Sequence, residues 1–221
     1  PSFEPAAVTD AFGALHFNKH LRDVLALLGD AGVAAANAAQ GNTAACDLGL
    51  EPADGAEALV NAAIEAGAVI GVAVDEPEEL SLFGSGAMLV FADGAHVAQA
   101  PVEDAAPLLV KLLQAGRVSM DDAKASVEKL RKLAGQGAFD AALIEQLLDA
   151  LTDATTASDD DAPRLFDCAL AAYLLDSSRS KYLVEDLASE RLGVSAPQGD
   201  DAPSAGVFAA AAARALVEPL T

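Results

Sequence analysis

The chain has no tryptophan, two tyrosines, two cysteines and only 13 lysines and arginines in 221 residues, and each shortage excludes something. Cys46 and Cys168 are too few for a disulfide scaffold and stand in no metal-ligand spacing. Each reads as a free buried thiol, which suits a reducing compartment, and no zinc site follows from them. The 13 basic side chains face 34 acidic ones, for a formal charge of −21 and a pI near 4.2. Such a surface repels phosphates, so the chain by itself is expected to bind DNA weakly or not at all. No apolar run reaches the 18 or so residues that cross a bilayer, and residues 1–30 lack the basic start and apolar core of a signal peptide. The expectation is a soluble, cytoplasmic protein with no membrane partner. The missing initiator Met and the helical pattern running up to Thr221 read as a piece of a longer protein.

What is present is small and apolar. Hydrophobic residues make up 52%, but about fifty residues are alanine, so the bulky core formers are mostly Leu and Val. Val8, Phe12, Leu15, Leu21, Val24, Leu25 and Leu28 recur at spacings of three and four, which predicts amphipathic helix over 4–28, broken near His16 to Asn18. From Gly29 to Asp54 bulk is scarce, and the stretch reads as a linker. Helix is predicted again at 56–65, closed by Gly67 as a C-terminal cap. The strands follow: Ala68 to Val74, then Ala87 to Ala92 and His96 to Ala100 around Asp93-Gly94, a hairpin signal. Helices are predicted at 103–115, 121–133, 138–151, 167–176, 182–192 and 203–218. Arg117 to Ser119 reads as a short extra strand, and Thr152 to Asp161 as an acidic solvated loop. The fold class is α+β, a small sheet with helices against it.

Few residues point to chemistry. His16 and His20 share a helix face without an acidic partner, and His96 follows a turn; all three read as surface or satisfied histidines. Gly84-Ser85-Gly86 lacks the third glycine and the lysine of a phosphate cradle and reads as a turn. Carboxylates are the serious candidates, since two divalent cations held by converging acids hydrolyse phosphodiesters. Asp75 and Glu76 end the first strand, but neighbours on a strand point to opposite faces. Asp121 and Asp122 are explained as a helix cap with first-turn charge.

From Arg164 to Gly193 the sequence RLFDCALAAYLLDSSRSKYLVEDLASERLG closely resembles a segment of the 3′–5′ exonuclease domain of bacterial DNA polymerase I. Phe12 to Leu28 is similar to the helix that follows the 5′ nuclease domain in that family, in the family's order and spacing. The resemblance implies a ribonuclease H-like fold, a small mixed sheet flanked by helices, with a helical connector at 1–54 and an exonuclease-like domain at 55–221.

It also implies where metal ligands should lie. The family's first motif is an aspartate and a glutamate one residue apart at the end of the first strand, which sets Asp75 in the first place and Pro77 in the second. In the second motif, a helix-start histidine-asparagine-leucine-lysine-tyrosine-aspartate, the register Asp121 to Ser126 keeps the lysine but puts Ser126 where the aspartate belongs. The third, a tyrosine with an aspartate four residues on, falls on Val207 and Ala211. With Asp75 alone, no paired-metal site is expected, because magnesium keeps its waters unless several oxygens replace them. The resemblance therefore implies a non-catalytic domain, not itself an enzyme and holding no cofactor. Its partner would be a polymerase domain of the same chain, in a DNA-directed DNA polymerase that uses magnesium and contacts DNA in replication and repair. Two rival readings stand beside it: a working exonuclease with relocated ligands among Asp75, Glu76, Asp121, Asp122 and Asp140, or an acidic module that binds a basic partner.

Overall fold

The computed structural model describes residues 50–76, 86–135, 165–197 and 203–221, and residues 142, 145, 146, 148 and 149. The helix read over 4–28, the linker before residue 50, Pro77, Gly84-Ser85, Asp140 and the acidic stretch 152–161 lie outside the described residues. Among the described residues six strands occur in chain order as β1 (Glu51–Pro52), β2 (Ile70–Asp75), β3 (Met88–Ala92), β4 (His96–Pro101), β5 (Val118–Met120) and β6 (Leu165–Asp167). Six helices accompany them: α1 (Ala56–Ala66), α2 (Val102–Ala115), α3 (Ala123–Gly135), α4 (Cys168–Leu175), α5 (Val184–Arg191) and α6 (Ala205–Ala215). The five described positions between 142 and 149 are helical as well.

The strands form one mixed sheet in the order β1-β4-β3-β2-β5-β6. β2 pairs antiparallel with β3, and β3 with β4, joined where the Asp93-Gly94 signal predicts a hairpin. β5 runs parallel to β2, β6 parallel to β5, and β1 parallel to β4. The architecture is α+β, as the sequence predicts. Arg117 to Ser119, read as a short strand, matches β5 shifted by one residue. β1 falls inside the stretch read as linker, and the three residues of β6 fall at the edge of a predicted helix. Neither is long enough to show a period of two, so pairing with β4 and β5 defines them rather than local pattern.

Strand alternation divides the core. Ile70, Val72 and Val74 of β2, with Leu89 and Phe91 of β3, pack into one cluster with α1, α2 and the Leu130 and Leu133 side of α3. Ala73, Val90 and Ala92 point to the other face and meet Val207, Ala210 and Ala211 of α6. The sheet is thus covered on both faces, which explains why its central strands read as continuous apolar runs. The first cluster is built of bulky side chains, each contributing about 1.5–3 kcal/mol when fully buried. The second is built of alanine, so its gain comes from close approach rather than area.

Two glycines make this geometry possible. Gly67, at φ 64°, ends α1 in the left-handed region and donates its N–H to Ala63 and Ile64 carbonyls, which turns the chain into β2 as the C-cap signal predicts. Gly71 lies on the α6 side of β2. A Cβ there would sit 1.9 Å from the Ala210 carbonyl oxygen and 2.8 Å from the Arg214 amide nitrogen. Only a residue without a side chain lets α6 lie this close to the strand.

Candidate functional site

A cleft of about 400 Å³ opens at the C-terminal end of β2, the place where the sequence locates its best acids. Its floor is Ala73 to Glu76. One wall is the start of α3, with Asp121, Asp122, Ala125 and Lys129; the other walls are Tyr182 to Glu185 and the Ala205, Gly206 and Ala209 side of α6. Four of the carboxylates weighed in the sequence, Asp75, Glu76, Asp121 and Asp122, are therefore brought to one cleft, but each is committed differently.

Asp75 stands on the α6 side of β2. A Cβ added to Gly206 would come within 2.4 Å of its Cβ, so α6 seats glycine against it and supplies no second carboxylate. Glu76 reaches Lys132 at 3.6 Å through Oε2, while its Oε1 is buried without a hydrogen-bond partner. Glu76 follows the last residue of β2, and both side chains line the same cleft. Asp122 accepts the Ala125 amide at 2.8 Å through Oδ1, the helix-cap role expected of it. Asp121 is partly buried, and burial pushes its carboxyl above the usual range against the pull of the Asp122 amide and the Lys129 charge.

The cleft also holds a cation of its own. Lys129 donates from Nζ to the Val74 carbonyl at 3.3 Å, placing an ammonium between the end of β2 and the acids of α3. Lys129 was not singled out from the sequence, although Asp121, Ala125 and Lys129 follow at spacings of four on a predicted helix, which puts them on one face. Asp167, also unremarked, joins two helix starts: its Oδ2 accepts the Ala123 amide at 3.0 Å and its Oδ1 the Leu170 amide at 2.9 Å. Burial raises its carboxyl too. An acid directly before an apolar helical run was the available cap signal.

The remaining positions implied by the resemblance are placed as follows. Ser126 is buried and is not among the residues lining the cleft, where Ala125 and Lys129 represent α3. Val207 and Ala211 face the sheet, in the cluster with Ala73, Val90 and Ala92. The positions of α6 that face the cleft are Ala205, Gly206 and Ala209, none of them acidic. Among the described residues, no three of His, Cys, Asp and Glu come together in a way that would hold a metal ion.

Cys168 lies away from the cleft. It is buried, packed between Ser119 and the end of α6, and burial pushes its thiol up to about 12, so it is protonated and unreactive at neutral pH. Ser119 donates at 2.7 Å to the Ala213 carbonyl, one of the terminal acceptors that α6 leaves without a helical partner. His96 sits on the exposed hairpin with Nδ1 3.3 Å from Asp93, a turn role. No helix among the described residues is long and apolar enough to cross a membrane.

The raised carboxyls give a pH prediction. A group whose pKa is higher in the folded state than the unfolded value of 3.8 favours folding when protonated, so its contribution is largest below 3.8 and is lost as pH rises through the folded value. Asp121→Asn should therefore flatten the pH dependence of stability above pH 3.8 and raise stability at pH 7. Urea unfolding at a series of pH values checks this; a variant less stable than wild type at pH 7 contradicts it.

Comparison of the chain with family models, with curated proteins and with solved structures finds no match.

Proposed function

We propose that the chain is the connector and the non-catalytic exonuclease-like domain of a DNA polymerase I, a module whose chemistry has been lost and whose work is structural support of a polymerase domain. The reading starts from the segment 164–193 and its resemblance to that family. The small mixed sheet, covered by helices on both faces, is compatible with the ribonuclease H-like fold that the resemblance implies. The observation that carries the functional part is the composition of the cleft walls. Phosphodiester hydrolysis by two cations requires acids converging from several elements on ions roughly 3.5–4 Å apart. The cleft is lined by five acids, Asp75, Glu76, Asp121, Asp122 and Glu185, but α6 presents only Ala205, Gly206 and Ala209, Glu76 pairs with Lys132, and Asp122 caps the start of α3 through the Ala125 amide.

On this reading the polymerase domain of the same chain is the partner. DNA and magnesium belong to the parent enzyme's nucleotidyl transfer, and proofreading does not occur in cis. The test is incubation of the chain with manganese or magnesium and an oligonucleotide labelled at its 5′ end, bearing a single-stranded 3′ terminus. The expected result is no shortening, for wild type and for Asp75→Ala alike. Metal-dependent shortening that Asp75→Ala abolishes would overturn the proposal in favour of relocated ligands.

A further inference from the structure

Every large apolar side chain that is exposed among the described residues lies in α4 or at the start of α5: Leu170, Tyr173, Leu174, Leu175 and Leu183. Leu174 is 75% exposed and the other four about half. Leu170, Tyr173 and Leu174 follow at helical spacings of three and four, opposite Cys168 and Ala172, the only residues that α4 buries. Tyr173 stands edge-on to Tyr182 with ring centroids 5.9 Å apart, which carries the patch across to Leu183. α4 contains no charged residue. A helix apolar all round is ordinarily covered all round, and this one is covered on a single side.

We infer that this face pairs with the same face of a second copy of the chain, in a weak dimer of two-fold symmetry. Two observations made on the described residues select that occupant. The first is area. With large apolar side chains contributing roughly 150–200 Å² each, the five expose about 500 Å², so a symmetric pair removes about 1,000 Å² from water, the size at which an interface becomes specific. The second is charge. The whole chain carries −21, yet residues 168–193 hold Arg179, Lys181 and Arg191 against Asp176, Glu185, Asp186 and Glu190, 3 − 4 = −1. Charge elsewhere on the chain is screened beyond about 8 Å at physiological ionic strength. Arg179 is engaged within the copy by Asp176 and Glu190. Lys181, Arg191, Glu185 and Asp186 form no ion pair among the described residues, which leaves two charges of each sign. A two-fold contact sets such a mixed face against itself, so that bases meet acids. A partner of one sign would meet like charge in half of them. The inference is independent of the proposed function, since a nuclease assay of either outcome leaves it untouched.

Sedimentation equilibrium of the full chain over a hundredfold range of concentration tests it. The expected result is a mass that rises from 22.3 kDa toward twice that value, with a Kd on the order of 10–100 µM, as suits an interface at the low end of the specific size range. Leu174→Glu changes a side chain already open to solvent, so the fold is retained and the Kd should rise about tenfold or more. Glu57→Gln, at an exposed position of α1, should leave the Kd unchanged. Raising salt from about 0.05 to 0.5 M should tighten the dimer several-fold, because screening weakens the repulsion of −21 against −21 while apolar contact persists. A monomer at every concentration would overturn the inference and leave the face to a different partner. A dimer that Leu174→Glu leaves intact, or one that dissolves as salt rises, would overturn it equally by placing the contact on another, charged surface.

Discussion

Gly71→Ala is expected to lower stability by about 3 kcal/mol, the upper part of the range for overpacked sites, and the melting temperature by roughly 6–12 °C. The added methyl carbon would meet the Ala210 carbonyl oxygen at 1.9 Å and the Arg214 amide nitrogen at 2.8 Å. Both obstacles are backbone, so no side-chain rotation relieves them. α6 has to lift from β2, and lifting it loosens the contacts of Val207, Ala210 and Ala211 with Ala73, Val90 and Ala92. Against a total of about 5–15 kcal/mol for a domain, this is a large fraction. Urea unfolding monitored by far-ultraviolet circular dichroism provides the measurement, and a loss below about 1 kcal/mol would show that α6 is not pressed against the strand.

Ala211→Asp should be as damaging, for a different reason. The resemblance sets Ala211 where active relatives carry an acid, yet Ala211 is 4% exposed and lies among alanine and valine. A carboxylate there would be buried without a partner, a cost on the order of 3–5 kcal/mol. Ala209→Asp is the informative control, because Ala209 is half-buried and lines the same cleft as Asp75. It should cost about 1 kcal/mol and leave the protein folded. If Ala211→Asp proved as mild as Ala209→Asp, the face that α6 turns to the sheet would be misassigned.

This pair of variants also shows how far the sequence reaches. The alanine run 209–213 announces a helix and a packing surface, and four of its five residues are buried. It does not announce which alanine faces the cleft, because residues identical in type carry no periodic signal. The register taken from the resemblance selects Val207 and Ala211, and the fold turns Ala205, Gly206 and Ala209 to the cleft instead. Neither set contains an acid. Lys129 is a similar case: its helix face is legible, but the carbonyl it reaches, Val74, lies 55 residues earlier, and only the packing of α3 beside β2 joins them.

The amino-acid order alone determined the elements that carry their own signal. The hairpin follows from Asp93-Gly94, the end of α1 from Gly67, and the helices from apolar spacing, because turn chemistry and amphipathic period are properties of a few adjacent residues. The tertiary structure decided what depends on distant partners: the edge strand Glu51–Pro52, the three residues of β6, the glycine demanded at position 71, and the cleft in which Asp75 meets glycine and a lysine. Those features are set by contacts between segments tens of residues apart, and such contacts leave no local period to read.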